Sequence, residues 1–329
     1  MNDLPRIRAF LQAQSTCYIA GHTNPDGDTI GACFGLGMAL QKLGITARVL
    51  MEPFHPSLQI IPGGHLLVPV GAGPLLPDAL DTAGPPASPP PVLICVDCAD
   101  ERRIGEPARA LFPHAVVVNI DHHYTNTMFG QYNFVDGAAS SACELVYRLL
   151  HGFVEPDRDI ATALYAGMVC DTGGFRFNAT GPDTLRLAGE LISLGIPFTE
   201  IYTELIHMRS FVGVRLMGAV IDRLQSHLGG RLYTAAVDAA LFAAHGATPL
   251  DMEGVVEFIL NIRGAEAAAL LYEKEGEIKV SLRSRRANVG AIALKLGGGG
   301  HHLASGATVQ GGLADTHTTV VQLFEGELV

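Results

Sequence analysis

The sequence predicts an α/β protein with a doubly wound, mainly parallel sheet in its N-terminal domain and a smaller mixed α/β C-terminal domain. Short apolar runs alternate with helical patterns along the first half of the chain. Runs such as "PVLICVD" and "AVVVNID" are apolar throughout, as in parallel strands that are covered on both faces. After the break "HLGGRL", strand character starts again. Strands that alternate with helices indicate a doubly wound sheet, and the break indicates a second domain.

The elements of the first domain follow in chain order. "TCYIA" predicts a strand, "TIGACFGLGMALQKLG" a helix that ends at Gly44, and "ITARVLM" a second strand. The proline-rich segment "AGPPASPPP" predicts a surface loop. The two apolar runs quoted above are the next strands. Helices are predicted over 141–151, 159–169 and 183–195.

The second half begins with a helical stretch and ends in a mixed domain. "RLYTAAV" predicts a strand, a helix follows near 251–263, and "AEAAALLYEKEGEIKVSLRS" predicts a hairpin that turns at Glu275 and Gly276. A functional site is expected in the cleft between the two domains. The predicted boundaries are 1–197 for the first domain, 198–228 for a helical linker and 229–329 for the second domain.

Composition restricts the classes of function. With 48% hydrophobic and 17% charged residues, the chain has enough apolar side chains to form buried cores, and its composition is that of a folded protein. A net charge of −11 argues against a broad basic surface for long nucleic acid, but metal ions could neutralise carboxylates locally and admit short anionic substrates. No apolar stretch is long enough to cross a bilayer, and "MNDLPRIRAF" lacks the apolar core of a signal peptide. We therefore expect a cytoplasmic protein that does not bind membranes.

The six cysteines lie mostly in apolar runs, which favours reduced, packed thiols over disulfides. Cys95 and Cys98 form a C-x-x-C motif, which is also found in redox and zinc sites. No second such pair exists, and this motif closes a predicted strand instead of opening a helix. Packed thiols are therefore the favoured interpretation.

Four acidic or imidazole patches follow predicted strands or helices. The first, "HTNPDGDTIGA", has spacings that fit neither a helix face nor a strand face, but fit a loop that aims several ligands at one point. The carboxyl ends of strands in open α/β sheets border the ligand crevice, so the patches are expected to converge. A helix N-cap at Asp97 and an Asx-turn at Asp171 are the structural alternatives, and the coincidence of four patches disfavours them. The residues of the patches are, in order, His22, Asp26 and Asp28; Asp97; Asp121, His122 and His123; and Asp171.

This mixture of many carboxylates with fewer imidazoles suits Mn²⁺, whereas zinc sites usually contain more nitrogen or sulfur. The number of candidate ligands exceeds what one ion needs, which predicts two. Two ions about 3.5–4 Å apart can clamp a phosphoryl group and supply a hydroxide for in-line attack. The patches therefore predict the hydrolysis of phosphoesters.

A second group of candidate residues lies in "KVSLRSRRANVGAIALKLGGGGHHLASG". The glycine run 297–300 would let backbone N–H groups approach a phosphate, although flexible connectors also contain such runs. His301 follows the run, and Arg283 and Ser284 stand at a predicted strand end, where a guanidinium can grip phosphate. Arg176 in "GGFRF" is a further candidate for substrate contact, the alternative being a surface arginine between packed phenylalanines.

With these motifs in view, the sequence resembles the DHH phosphoesterase family, in particular its two-domain members with a DHH-associated C-terminal domain. "HTNPDGDTIGA" resembles the first family motif, "VDCAD" the second, "DHH" the third and "CDTGGFRF" the fourth. "GGGGHHLASG" resembles the substrate motif of the C-terminal domain. The resemblance extends over nearly the whole chain.

The resemblance implies a role for each matching residue. One Mn²⁺ would be held by His22, Asp26 and Asp97. The other would be held by Asp28, Asp97, His122 and Asp171, so that Asp97 bridges the ions. His123 would contact the scissile phosphate and assist the leaving group, and Asp121 would orient a neighbouring histidine. The substrate-binding residues that the resemblance implies are Arg283, Ser284, Gly299, Gly300 and His301. Gly298, from the glycine run, and Arg176 are further candidates for substrate contact.

Within this family, the compact two-domain layout resembles the nanoRNase/pAp-phosphatase branch. Its members degrade very short oligoribonucleotides, including linear dinucleotides, and dephosphorylate 3′-phosphoadenosine 5′-phosphate (pAp). The expected partners are thus short RNA and small nucleotides, without long duplexes, and a homodimer is left open. The alternatives are a cyclic-dinucleotide phosphodiesterase, a single-strand-specific exonuclease and a non-catalytic nucleotide sensor on the same scaffold.

Overall fold

The computed structural model describes residues 3–68, 89–300 and 302–328. The chain divides into two compact units, Met1–Met208 and Arg209–Val329. Most of the predicted proline-rich loop, and His301, lie outside the described residues. Among the helices of the described ranges, none combines the length and the apolar character that a membrane span requires.

The first unit is built on a sheet of five parallel strands in the order β2-β1-β3-β4-β5. In this order the chain reverses its direction of winding between β1 and β3, and open α/β sheets bind ligands at such a switch point. The first two patches of candidate ligands follow directly after β1 and β3. The strands are β1 (Thr16–Ala20), β2 (Thr46–Leu50), β3 (Val92–Val96), β4 (Val116–Asp121) and β5 (Tyr132–Val135).

Helices and buried side chains cover both faces of this sheet. In β3, Ile94 and Val96 belong to one apolar core, whereas Leu93 and Cys95 belong to a second core on the opposite face. This alternation explains why the strand is apolar at every position. The helices of the unit are α1 (Leu4–Gln12), α2 (Gly27–Lys42), α3 (Glu106–Arg109), α4 (Ala142–Leu150), α5 (Arg158–Asp171), α6 (Pro182–Ser193) and α7 (Phe198–Tyr202), followed by a π-helical turn (Thr203–His207).

Glycines allow α2 to pack closely against α5 and α4. A Cβ at Gly31 would lie 2.4 Å from the carbonyl oxygen of Ala163, and a Cβ at Gly167 would lie 2.2 Å from Cys143 Sγ. Both distances are far below van der Waals contact. At Gly31 the obstacle is a backbone atom, so a larger residue would require the backbone to shift, whereas at Gly167 the Cys143 side chain would have to move. The close approach matters for the site, because Asp28 lies in the first turn of α2 and Asp171 ends α5.

The second unit contains a six-stranded sheet in the order β10-β11-β9-β8-β7-β6. Of the strand pairs in the described residues, β7 with β8 is parallel and the other four are antiparallel, so the sheet is mixed. Its strands are β6 (Gln225–His227), β7 (Leu232–Val237), β8 (Ala267–Lys274), β9 (Glu277–Ser284), β10 (Gly299–Gly300) and β11 (Ala304–Val309). Its helices are α8 (Phe211–Ile221), α9 (Ala239–His245), α10 (Val255–Leu260), α11 (Val289–Lys295) and α12 (Leu313–Glu327).

The predicted fold class, a parallel-sheet α/β domain followed by a mixed-sheet α/β domain, is confirmed. The predicted hairpin is β8–β9, and both turn residues, Glu275 and Gly276, have positive φ, as a two-residue hairpin turn requires. The range predicted as a helical linker, 198–228, holds α7, the π-helical turn, α8 and β6. Of these, α8 contributes Leu216 and Val220 to a core of the second unit.

Candidate metal centre

The four patches of the first unit meet at the carboxyl ends of its strands. Within each of three groups of side chains, the potential ligand atoms lie within 4.8 Å of one another. The groups share members, so they form one continuous cluster. They are His22, Asp26 and Asp97; Asp28, His122 and Asp171; and Asp97, His122 and His123.

Asp97 lies at the centre of this cluster, immediately after β3. Its backbone has φ +59°, a left-handed conformation that is strained for a residue other than glycine and that recurs at functional sites. Its Oδ2 accepts a hydrogen bond of 2.6 Å from Thr29 Oγ1. Its Oδ1 is buried and has no hydrogen-bond partner among the described residues. A buried carboxylate oxygen without a partner is costly, and a cation would satisfy it.

The first group surrounds Asp97 Oδ2. His22 Nδ1 lies 2.7 Å from the carbonyl oxygen of Thr23, which requires a proton on Nδ1 and turns Nε2 toward the carboxylates. Nε2 is 3.4 Å from Asp97 Oδ2 and 3.7 Å from Asp26 Oδ2. Both distances exceed the usual range of hydrogen bonds, about 2.7–3.2 Å. They leave room for one cation that all three side chains could hold.

Asp26 and Asp28 are fixed by the starts of two helices. Asp26 is the N-cap of α2, and its Oδ1 accepts hydrogen bonds from the backbone N–H groups of residues 28 and 29. Asp28 is buried, and its two oxygens accept from the backbone N–H groups of Ala142 (2.6 Å) and Cys143 (2.9 Å), in the first turn of α4. The helix N-terminus therefore holds this carboxylate by hydrogen bonds and by its partial positive charge.

The second group surrounds His122. Its Nε2 lies 3.5 Å from Asp97 Oδ1, 3.5 Å from Asp171 Oδ2 and 4.0 Å from Asp28 Oδ2. Asp97 thus offers Oδ2 to the first group and Oδ1 to the second. A carboxylate with one oxygen directed at each of two ligand groups has the geometry of a bridging ligand.

The crowding of these groups shifts their pKa values. Burial, with the neighbouring charge of Asp97, raises the pKa of Asp28 to about 7, and burial with the charge of Asp28 raises the pKa of Asp171. Burial alone would lower the pKa of His22, but Asp26 and Asp97 outweigh it and raise this pKa to about 10. Asp97 acts in the same way on the pKa of His122. Without a cation, the cluster therefore retains protons at neutral pH, and cations could replace them. Carboxylates, imidazoles and the unpaired Asp97 oxygen together fit the binding of divalent metal.

The third histidine of interest is paired with a buried carboxylate. His123 Nδ1 lies 2.7 Å from Asp121 Oδ1, and Asp121 is fully buried. This contact holds a proton on Nδ1 and fixes the ring orientation. His123 Nδ1 is also 3.6 Å from Asp97 Oδ1, so the imidazole borders the cluster.

The residues predicted to bind substrate in the second unit are held by local contacts. Arg283 Nε donates to Glu257 Oε1 (2.7 Å), and the Ser284 hydroxyl accepts from the backbone N–H groups of Arg286 and Ala287. A Cβ at Gly298 would lie 2.1 Å from the Gly306 carbonyl oxygen, so close packing against β11 by itself requires glycine there. Gly299 and Gly300 form β10 and pair with β11. In the first unit, Arg176 Nε donates to the carbonyl of Gly173 (3.0 Å).

Sequence reasoning missed several residues that shape the cluster. Thr29 lies inside the first motif, directly after Asp28, but a lone threonine there carries no distinctive signal. The Ala142 and Cys143 N–H groups could have been anticipated from the pattern Ser141-x-x-Glu144, which predicts a helix N-terminus. Cys95 and Cys98 are free and buried, and burial raises the pKa of both thiols. Their packing agrees with the favoured interpretation of the C-x-x-C motif.

The sheet order and the ligand cluster at its switch point define an α/β protein with a candidate metal centre. Residues 16–168 match the model of the DHH family N-terminal domain, and residues 229–327 match that of the DHHA1 domain. The "Bifunctional oligoribonuclease and PAP phosphatase NrnA" of Thermus thermophilus is 35% identical over 94% of this chain and 90% of its own length. The chain belongs to the DHH family.

Two further relatives extend the comparison. The protein of Bacillus subtilis with the same name is 32% identical over 66% of this chain and 69% of its own length. An exopolyphosphatase-related protein from Bacteroides fragilis has the same fold, with a TM-score of 0.86 and 24% identity over 98% of this chain and 96% of its own. The Bacteroides structure shows that the fold is shared over nearly the whole chain.

Proposed function

We propose that this protein is a Mn²⁺-dependent phosphohydrolase that cleaves very short RNA, including linear dinucleotides, and dephosphorylates pAp. The observation that carries the proposal is the position of Asp97, which directs one carboxylate oxygen at each of two ligand groups. Within the described part of the chain, its Oδ1 has no hydrogen-bond donor. The names of the two bacterial relatives support the choice of substrates. The proposal includes a cytoplasmic location, as expected from the sequence.

Two ions would be held by the groups described above. His22, Asp26 and Asp97 would bind the first, and Asp28, Asp97, His122 and Asp171 the second. When bound, the ions would neutralise the phosphoryl oxygens and activate the attacking water. Manganese is favoured because oxygen ligands outnumber imidazoles, whereas zinc sites usually contain more nitrogen or sulfur.

The side chains of the protein would perform three further tasks. Thr29 and the N-terminus of α4 keep the Asp97 and Asp28 carboxylates in place, so that little reorganisation is needed during the reaction. In its doubly protonated form, His123 would keep its Nδ1 proton on Asp121, contact the scissile phosphate and donate the Nε2 proton to the departing oxygen, which leaves a neutral imidazole. Arg176, Arg283, Ser284, the glycines at 298–300 and His301 would bind the rest of the substrate.

A side-by-side substrate panel tests this proposal. Purified protein would be assayed with added Mn²⁺, and with a chelator as control, on pAp, on RNA of two to five nucleotides, on a longer single strand and on a cyclic dinucleotide. We expect turnover of pAp and of the shortest RNAs that depends on the metal. Preference for the cyclic dinucleotide or the long strand would select one of those alternatives instead. Binding without turnover of any member would favour a nucleotide sensor.

A further inference from the structure

A network of side-chain amides lies beside the Asp121–His123 pair. Asn126 Nδ2 is 2.6 Å from Asp121 Oδ2 and 2.8 Å from Asn119 Oδ1. Asn126 Oδ1 accepts a hydrogen bond of 2.7 Å from the backbone N–H of Met128. That bond distinguishes the two ends of the amide, because the oxygen must face Met128 and the nitrogen must face Asp121.

The network leaves Asp121 little freedom to rotate. One oxygen of this fully buried carboxylate contacts His123 Nδ1, and the other accepts the proton of Asn126. Loss of Asn126 would thus leave a buried carboxylate oxygen unpaired, and the carboxylate could turn away from the imidazole.

The same amides reach the loop that carries Asp97. Asn119 Nδ2 and Asn126 Nδ2 each lie 3.1 Å from the carbonyl oxygen of Cys98, the residue after Asp97. Asn119 is fully buried in β4. The two amides therefore link the strained turn at Asp97 to the carboxylate that orients His123.

We infer that Asn126 is a positioning residue, which clamps the Asp121–His123 pair against the Asp97 loop and fixes the imidazole for proton donation to the leaving group. The inference rests on the proposed function, which gives His123 that task. Asn126 lies outside the four motifs. Its removal should slow the departure of the leaving group and should leave metal binding unchanged.

The loop around Asn126 has backbone contacts that do not need its side chain. The Asn126 N–H donates to the His123 carbonyl (3.1 Å), and the Thr127 N–H donates to the Ala99 carbonyl (2.9 Å). Asn126→Ala is therefore expected to fold. Asn133→Ala is a matched control, because Asn133 also bridges a turn, through its contacts with Gly130, but does not contact Asp121.

The kinetic test compares two leaving groups. With Mn²⁺ present, Asn126→Ala should lower kcat for a diuridine substrate about 10–100-fold, the usual effect of removing such an outer partner. For the p-nitrophenyl ester of uridine 5′-phosphate, whose leaving group needs no proton, kcat should fall less than about threefold. The Mn²⁺ concentration for half activation should not change. Combining Asn126→Ala with His123→Ala should cause little further loss beyond His123→Ala alone.

Other results would overturn the inference. A role in orienting His123 would be contradicted by equal losses of activity on both substrates or by no loss at all. It would also be contradicted if extra Mn²⁺ restored the activity, or if the losses in the double variant were additive. If wild-type protein hydrolyses neither substrate, the proposed function itself fails. Nitrogen NMR of the metal-free protein then tests the clamp alone, with His123→Gln to assign the ring signals. We expect the proton on Nδ1 in wild type and a mixture of tautomers in Asn126→Ala, and unchanged signals would contradict the clamp.

Discussion

Thr29 donates its hydroxyl proton to Asp97 Oδ2 over 2.6 Å, and the two residues are 68 positions apart in the sequence. Thr29 lies in the first turn of α2, whereas Asp97 follows β3. Both residues are buried. The bond therefore links the two sides of the sheet's switch point and fixes the rotation of the carboxylate that faces both ligand groups.

Replacement of Thr29 by valine should weaken metal binding. The side chain keeps its shape but loses the donor, so Asp97 Oδ2 is no longer held toward His22. We expect a loss of about 10–100-fold in Mn²⁺ affinity, measured by calorimetric titration, and recovery in Thr29→Ser. Thr162→Val is the control, because the hydroxyl of Thr162 donates within its own helix, to the Arg158 carbonyl. Unchanged affinity in Thr29→Val would contradict the role of this bond.

Replacement of Asp97 by asparagine should abolish turnover while the protein stays folded. Asparagine tolerates the left-handed backbone of residue 97 and can accept the proton of Thr29, whereas alanine would add backbone strain. The amide, however, cannot supply an anionic oxygen to two cations. Activity and Mn²⁺ stoichiometry should be compared with those of Asp100→Asn, whose carboxylate pairs with Arg102 on the surface. Activity within about tenfold of wild type would reject the bridging role, since removal of an essential group costs far more.

The sequence predicts the features that neighbouring residues determine, but not the contacts between residues that are far apart in the chain. The β-strands at 92–96 and 116–121 and the hairpin at 275–276 were recognisable, because apolar runs and turn residues are local signals. The convergence of the ligand patches followed from the rule on strand ends. The contacts of Thr29 with Asp97 and of Asn126 with Asp121 could not be predicted, because they depend on how distant segments pack and on ordinary polar residues.

Helix packing supplies a prediction about stability. A methyl group at Gly31 would meet the Ala163 carbonyl oxygen at 2.4 Å and the Gly167 nitrogen at 3.1 Å, both backbone atoms that cannot move independently. Gly31→Ala should therefore lower the free energy of unfolding by about 1–3 kcal/mol. Urea unfolding in the presence of a chelator measures this directly.

The control for this experiment is Gly189→Ala in α6, where a Cβ would meet no atom of the described residues within 4 Å. There the substitution should raise stability by about 0.5–1 kcal/mol, because alanine restricts the unfolded chain and favours the helix. Equal effects of the two substitutions would show that the spacing of α2 and α5 does not require glycine at residue 31.

Metal binding should strengthen as pH rises, because cations compete with protons for the cluster. In the metal-free protein the pKa of Asp28 is raised from 3.8 to about 7 and that of His22 from 6.5 to about 10. A group whose pKa is higher in the folded protein than in the unfolded chain stabilises the fold fully at pH values below its unfolded-chain pKa. This stabilisation is lost as the pH rises through its folded-state pKa. The metal-free protein should thus lose these contributions between about pH 4 and about pH 10.

Bound cations should reverse this trend, since they displace the same protons and leave the ligands deprotonated. The increase in melting temperature caused by Mn²⁺ should therefore grow from about pH 6 to about pH 9, and calorimetric heats should depend on the ionisation enthalpy of the buffer. In His22→Gln, the pH dependence of the melting temperature and the buffer dependence of the heats should both become smaller. The variant lacks the His22 imidazole, whose raised pKa makes it hold a proton that Mn²⁺ would displace. A constant Mn²⁺-induced shift across this pH range would mean that the cluster holds no displaceable protons.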